Sequence, residues 1–213
     1  MREFSFPDFM FIVLAIRWTI LLSAVAMVGG GVLGIVLALA RTMDSSIARW
    51  LSGSFILFFQ GTPLLLQLFL AFFGLSLIGV DLGAYGAAAL ALTLHAAAFL
   101  GEIWRGSIEA LPKGQWEASR ALGLSYVTTM RSVIAPQAMR LAMAPTVGFV
   151  VQLIKGTSLA AIIGFVEVTR AGQIVNNATF EPFAVFGLVS TIYFLLCWPL
   201  SLLGGRLERG LSR

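Results

Sequence analysis

A single lysine lies in the middle of a long apolar run. Lys155 is the only charged residue in the stretch from about 141 to 166. If that stretch is embedded in lipid, a charged side chain there is costly unless it is paired, solvated or neutral. Lys155 can neutralise the carboxylate of a substrate, or it can have a structural partner such as a helix carbonyl or Glu102. The sequence does not favour one role over the other.

Other polar side chains lie at about the same depth in the apolar runs, as the walls of a substrate site require. Polar groups in mid-membrane are candidates for function because burying them in lipid is unfavourable. We therefore predict a substrate-binding set that consists of Gln60, Gln67, His95, Gln152, Lys155, Thr157 and Ser158. A packing role is the commoner alternative for His95, and Gln60 and Gln67 can instead form hydrogen bonds between helices.

The sequence offers little support for catalysis or metal binding. It has one histidine, His95, and one cysteine, Cys197, which excludes an internal disulfide and a cysteine metal cluster. It shows no paired carboxylates, no nucleophile–base combination and no GxxxxGK[ST] loop for nucleotide phosphates. We predict that the chain is not an enzyme, that it binds no metal or other cofactor, and that it does not itself hydrolyse ATP.

The elements that position these groups must be membrane helices. Hydrophobic residues make up 59% of the 213 residues and charged residues 11%, whereas soluble domains are about 45–50% apolar and about 25% charged. A globule of this size cannot hide that excess, so its solvent must be lipid. Windows long enough to span a bilayer lie at about 18–40, 54–80, 83–104, 141–166 and 183–205. We predict an all-α membrane protein with five transmembrane helices in one domain, 1–213.

Basic residues concentrate on one side of the predicted bundle. Alternate connections between five spans share a side, which brings together ten of the 14 lysines and arginines. These are Arg41, Arg49, Arg105, Lys113, Arg120, Arg131, Arg140, Arg206, Arg209 and Arg213. The positive-inside rule makes that side cytoplasmic, with the N-terminus outside and the C-terminus inside. The net charge of +4 therefore reflects topology and does not indicate nucleic-acid binding. The first apolar run exceeds the core of a signal peptide, so we interpret it as a retained helix.

The longest polar connection, about 105–140, lies on the predicted cytoplasmic side. Within it, Gln115 to Leu122 suits a short helix, and Gly123 follows as a residue that can adopt positive φ. Trp116, Ala118 and Leu122 are expected to form an apolar face. A helix of this length is not stable alone in water, so the membrane surface or a partner must hold it.

The same connection resembles the EAA loop of ABC importer permeases. Glu117-Ala118-Ser119 is followed after three residues by Gly123, and after nine more by Val133-Ile134-Ala135-Pro136. The family pattern is EAA, three residues, Gly, nine residues and Ile-x-Leu-Pro, so the spacing matches throughout. Ser119, Val133 and Ala135 are mild departures from it.

Further segments narrow the resemblance to permeases for polar amino acids, the histidine/glutamine/arginine-type subunits of bacterial type I importers. The segments are 60–67 (QGTPLLLQ), 101–106 (GEIWRG), 111–118 (LPKGQWEA), 121–125 (ALGLS), 136–138 (PQA) and 155–159 (KGTSL). The resemblance extends from about residue 15 to the C-terminus. It implies the type I permease fold in the bacterial plasma (inner) membrane.

The resemblance also implies a set of partners. These are separate cytoplasmic ABC ATPase subunits that use the ATP, a second permease subunit (identical or related), and an external solute-binding protein. The loop is expected to dock into a groove on the ATPase. The coupling residues that the resemblance implies are Glu117, Ala118, Ser119, Ala121, Leu122 and Gly123.

Departures from the family pattern bear on the substrate. Many relatives have Arg at the position of Gln60, Asp at that of Gly156 and Asn at that of Gly148. Losing an acidic and a basic position weakens the case for a cationic ligand and fits a neutral or acidic amino acid slightly better. It equally fits a subunit that leaves most of the binding to its partner. An ATP-independent carrier or channel for a small polar solute is the alternative function, although no inverted repeat is visible.

Overall fold

The computed structural model describes residues 2–211, and within that range the chain contains helices and no strands, which confirms the all-α prediction. Met1, Ser212 and Arg213 lie outside the described residues. The helices are α1 (Phe6–Thr42), α2 (Ser46–Gly61), α3 (Leu64–Leu77), α4 (Gly83–Glu109), α5 (Lys113–Ala121), α6 (Tyr126–Ile163), α7 (Val168–Thr179) and α8 (Pro182–Leu211). α6 contains a π-helical turn at Met130–Ile134 and ends in a 3₁₀ segment, Thr157–Ile163.

Four helices, α1, α4, α6 and α8, are long and apolar enough to cross a membrane. α2 and α3 pass the same test only as a pair, and they meet at an angle of 103°. Each predicted window falls largely on one of these elements, and each element begins at or before its window. α1 begins at Phe6 and α6 at Tyr126, because polar residues near these ends shorten an apolar window without interrupting the helix.

Helix direction decides whether the bent pair is a crossing or a re-entrant loop. Gly30 of α1 lies against Ala96 of α4, and Gly34 lies against Leu100 and Gly101 further along. Residue numbers rise together on the two helices, so α1 and α4 are parallel. The chain must therefore return across the bundle between them, and α2–α3 makes that return as one broken span.

The remaining spans alternate in direction. The indole N–H of Trp104 on α4 donates to Thr146 Oγ1 on α6 at 3.1 Å, while Gly156 of α6 lies against Leu92 of α4. Residue numbers rise along α6 as they fall along α4, so the two helices are antiparallel. Gly204 of α8 lies against Val147 of α6. With α2–α3 counted as one, the bundle has five crossings.

Most of the basic residues lie toward one end of this bundle, which we call the basic end. They occupy the end of α1, the start of α2, the α4–α6 connection with its flanks, and the end of α8. Nine of the ten predicted residues are described, and Arg213 lies outside the described residues. The assignment of the basic end to the cytoplasm stays a prediction.

The closest helix approach, between α1 and α4, depends on Gly30. A Cβ atom at Gly30 would lie 2.4 Å from Ala96 Cβ and 3.0 Å from Ala97 N. The neighbouring Gly31 has room, since its nearest contact would be Trp104 at 3.7 Å. Gly30 and Gly34 therefore allow close packing within the subunit.

We expect Gly30→Ala to destabilise the chain by about 1–3 kcal/mol, the usual cost of overpacking a tight interior. Gly31→Ala adds the same methyl group one residue away and is the matched control. Thermal unfolding of the purified variants in detergent measures the difference. Equal unfolding midpoints for the two variants would show that the α1–α4 contact is soft and would contradict this account.

Candidate functional site

Three of the predicted substrate-binding residues are exposed on the isolated chain within the membrane-spanning elements. Gln60 lies at the end of α2, and Gln152 and Lys155 lie on α6. Next to Lys155, a Cβ on Gly156 would lie 3.1 Å from Leu64 Cδ2, in the first turn of α3. The polar stretch of α6 therefore packs beside the bend in α2–α3, which places these residues at the level of the broken helix.

Lys155 has no acidic partner among the described residues. The carboxylate of Glu102, its candidate partner from the sequence, instead accepts hydrogen bonds from Arg105, the residue one turn further along α4. A cation exposed at this depth must find its counter-charge or its solvent outside the chain. A ligand, a water-filled pathway or a second subunit can supply it.

Thr157 and Ser158 interact with their own helix. The Thr157 hydroxyl donates to Ile154 O at 2.7 Å and the Ser158 hydroxyl donates to Lys155 O at 2.7 Å. Thr157 is completely buried, whereas Ser158 is half-buried. Of these two hydroxyls, only that of Ser158 lies where a ligand can reach it.

Gln67 and His95 lie in the interior of the chain and are brought together. Their side chains are 5% and 8% exposed, and Gln67 Oε1 is 3.3 Å from His95 Nδ1. The His95 ring packs on Phe99, with ring centroids 4.6 Å apart. Both residues therefore have side-chain partners within the chain, whereas the side chains of Gln60, Gln152 and Lys155 form no hydrogen bond or ion pair with the part of the chain that the structure describes.

The connection between α4 and α6 carries the second candidate site. Its helix, α5, covers Lys113–Ala121, two residues earlier at its start than predicted. The helix ends in two overlapping backbone hydrogen bonds, from Leu124 N to Ser119 O at 3.0 Å and from Gly123 N to Arg120 O at 2.9 Å. This is the Schellman arrangement, which requires a left-handed residue. Gly123 supplies it with φ of +70°, as the sequence predicted.

The exposed side of α5 and its end form a surface that we call the loop face. It consists of Glu117, Ala118, Ala121, Leu122 and Gly123. Leu122 is 78% exposed at the end of a helix whose other side is packed. An exposed apolar residue beside a carboxylate suits docking against another protein.

The predicted apolar face of α5 is wrong in one respect. Trp116 packs inward, and its neighbour on that side is Ser119, which is 3% exposed, while Ala118 and Leu122 point outward. Residues two apart in a helix lie on opposite sides, whereas residues three apart are neighbours. Ser119, predicted as a coupling residue, therefore lies on the packed side of α5, and its hydroxyl donates to Gln115 O at 2.8 Å.

The packed side of α5 is anchored to the chain itself. Trp116 packs against the cluster of Ile108, Leu111, Met130, Ile134 and Ala138, and its ring stacks on Tyr126 with centroids 6.1 Å apart. The Gln137 amide N–H donates to Gln115 Oε1 at 3.3 Å. These contacts join the loop face to the start of α6, a membrane-spanning helix.

The buried acid Glu167 was not among the residues predicted from the sequence. Glu167 is completely buried at the start of α7, a helix that was not predicted, at the end of the bundle opposite the basic end. Its carboxylate accepts from Thr169 N at 2.9 Å, Arg170 N at 2.8 Å and the Tyr193 hydroxyl at 2.6 Å. Burial raises the pKa of this carboxyl, although these hydrogen bonds oppose the rise. Glutamate is not among the preferred N-cap residues, so the type of this residue did not mark the start of the helix.

Comparison with known proteins agrees with this architecture. Residues 30–213 match the family described as "Binding-protein-dependent transport system inner membrane component". The chain is 36% identical over 195 residues to the probable amino-acid ABC transporter permease protein YckA of Bacillus subtilis (strain 168), covering 92% of this chain and 86% of that protein. It is 34% identical over 195 residues to the glutamine transport system permease protein GlnP of Escherichia coli (strain K12), covering 91% and 89%.

Solved structures support the fold. A chain from the crystal structure of an amino acid ABC transporter with histidines superposes with a TM-score of 0.87 at 30% identity, covering 93% of both chains. A chain of the MetNI methionine ABC transporter in an inward-facing conformation superposes with a TM-score of 0.82 at 20% identity, a likeness of fold alone. The predicted type I permease fold is therefore confirmed.

Proposed function

Because the chain belongs to the binding-protein-dependent transport system inner membrane components, we propose that it is the transmembrane subunit of an ATP-driven importer that moves a polar amino acid into the cytoplasm. Membership makes it an ABC transporter permease and a multi-pass protein of the bacterial inner membrane. The amino-acid specificity of YckA and GlnP and the matching amino-acid transporter structure support the substrate class.

The loop face is the observation that carries the proposed energy coupling. It presents Leu122 and Glu117 at the basic end, on a helix anchored to α6 through Trp116. We infer that a separate cytoplasmic ATPase subunit docks there, binds and hydrolyses the ATP, and moves α5 during its cycle. In this scheme the chain contributes no catalysis and binds no cofactor of its own.

The exposed polar residues in the membrane support a second permease subunit, identical or related. Gln60, Gln152 and Lys155 are unsuited to face lipid tails, and a single bundle of five spans encloses little space for a polar route. We infer that these residues line a pathway between two permease subunits. An external solute-binding protein would deliver the amino acid at the end of the bundle opposite the basic end.

The charge of that pathway suggests a kind of substrate. Lys155 supplies a positive charge that has no acidic partner within residues 2–211, and the other exposed or half-buried candidates Gln60, Gln152 and Ser158 are neutral. We infer that Lys155 binds the carboxylate that every amino acid carries. A cationic side chain finds no counter-charge among these residues, so a neutral or acidic polar amino acid fits better.

Reconstituted transport tests the proposal. The chain is purified together with its partner subunits and placed in proteoliposomes with the binding protein outside and ATP inside. Uptake of radiolabelled glutamine or glutamate is expected only with ATP and the ATPase subunit present. Uptake that continues without either of them would instead establish the ATP-independent carrier or channel. Competition by unlabelled arginine or lysine stronger than by glutamine or glutamate would overturn the inference about substrate charge.

A further inference from the structure

The broken span leaves backbone groups that need partners. α2 ends at Gly61 and α3 begins at Leu64, so carbonyl oxygens at the end of α2 have no helical N–H to accept from. Water is scarce at this depth, and an unsatisfied carbonyl there is costly. Side chains fill part of the gap. The Thr62 hydroxyl donates to Phe58 O at 2.8 Å.

Gln67, in the first turns of α3, donates to two further carbonyls at the break. Its amide nitrogen lies 2.8 Å from Phe59 O, 3.1 Å from Thr62 O and 2.9 Å from Thr62 Oγ1. Carbonyl oxygens only accept, and the Thr62 hydroxyl already donates elsewhere. The side of the amide that faces them must therefore be the N–H₂ group. This fixes the amide orientation, and Gln67 Oε1 faces α4.

The amide orientation in turn fixes the protonation of His95. Gln67 Oε1 is an acceptor and lies 3.3 Å from His95 Nδ1, so Nδ1 must carry the proton for a hydrogen bond to form. The ring is held in place by Phe99 and Phe149, whose centroids lie 4.6 and 6.4 Å from its own. In the neutral ring Nε2 is then unprotonated.

We propose that Gln67 and His95 form a positioning pair that braces the bend between α2 and α3, with His95 held as the neutral Nδ1–H tautomer. The pair replaces the backbone hydrogen bonds that the break removes and ties the bend to α4. Gln60, at the end of α2, is presented to the pathway through this bend. The effect on transport rests on the proposed function, whereas the tautomer does not.

Nitrogen NMR tests the tautomer directly. His95 is the only histidine in the sequence, so ¹⁵N-histidine labelling of the full chain in lipid nanodiscs, purified with a tag that lacks histidine, yields one pair of ring nitrogens. Long-range ¹H–¹⁵N correlation is expected to show a protonated Nδ1 and an unprotonated Nε2. A free imidazole favours the opposite tautomer, so a protonated Nε2 or an imidazolium would overturn the proposal.

Variants test the positioning role through rescue. In asparagine the amide nitrogen lies at the place of His95 Nδ1, so His95→Asn keeps the donor to Gln67, whereas His95→Leu removes it. We expect reconstituted uptake to fall about tenfold in His95→Leu, the effect of losing one buried hydrogen bond, and to recover in His95→Asn. Equal uptake in the two variants would refute the positioning role even if the tautomer is as proposed. A failure of all uptake, wild type included, with the Nδ1–H tautomer intact would count against the proposed function alone.

Discussion

Replacing Lys155 with methionine is expected to reduce ATP-driven amino-acid uptake roughly 30-fold or more, because removing one partner of a desolvated charge pair costs about 2–5 kcal/mol. Methionine keeps the length and apolar stem of the side chain and removes only the charge. Among the described residues no acid pairs with Lys155, so the loss should fall on an interaction with a group outside the chain. Initial uptake rates in proteoliposomes, normalised to the amount of assembled transporter, measure it.

Two controls separate substrate binding from other roles of this charge. Lys155→Arg keeps the charge and should retain most of the uptake. Arg206→Met removes one positive charge from the exposed part of the basic end and should transport like the wild type. Copurification of the second permease subunit with Lys155→Met tests whether the lysine holds the subunits together. Near-normal uptake in Lys155→Met, or loss of the complex, would contradict a carboxylate-binding role.

The fold was largely predictable because the dominant forces are visible in composition. Long apolar runs in a chain with few charges can be satisfied only as membrane helices, and basic residues separate toward one end. Gly123 was predictable for a local reason, since a helix that stops at a glycine adopts one of few backbone geometries. These features depend on the sequence near each residue and on the solvent.

The features that escaped prediction depend on contacts between distant residues. Gly61-Thr62-Pro63 indicates a break, but the hydrogen bonds that Gln67 makes across the 103° bend and to His95 join different helices. The short helix α7 has no long apolar run, and its start is stabilised by Tyr193 of α8 and Thr19 of α1. A single sequence does not say which distant side chains meet.

The predicted substrate-binding set shows the same limit. The sequence predicts that all seven residues share roughly one depth in the apolar runs. Depth does not distinguish a residue that faces the interior from one that faces outward. The structure makes that division, with Gln67, His95 and Thr157 inside and Gln60, Gln152 and Lys155 exposed.

Substitutions in the loop face are expected to have the second large effect on uptake. Glu117→Lys reverses the charge of an exposed residue, and if a basic group of the ATPase faces Glu117, the like-charge contact costs several kcal/mol. Gly123→Asp adds a charged side chain at the end of the same surface. Nothing lies within 4 Å of a Cβ at Gly123, and aspartate is among the residues that tolerate positive φ, so the chain should still fold and insert. We expect both variants to lose ATP-driven uptake by about tenfold or more, the usual effect of losing a hydrogen bond to a charged group.

Matched variants decide whether such a loss comes from docking. Gly79 also has positive φ (+86°) with open space around it, and it lies between α3 and α4, at the end of the bundle opposite the loop face. Gly79→Asp therefore carries a comparable backbone strain and added charge without contact to an ATPase at the basic end, and it should copurify with as much ATPase as the wild type. Glu117→Gln removes the charge without reversing it and should lose less uptake than Glu117→Lys.

Copurified ATPase and ATP hydrolysis are measured beside uptake in every variant. Because α5 is anchored to α6 through Trp116, a variant that keeps the ATPase bound and hydrolysing while uptake fails would assign the loop face to transmission of movement. Wild-type uptake in both Glu117→Lys and Gly123→Asp would instead show that the ATPase engages another part of the chain.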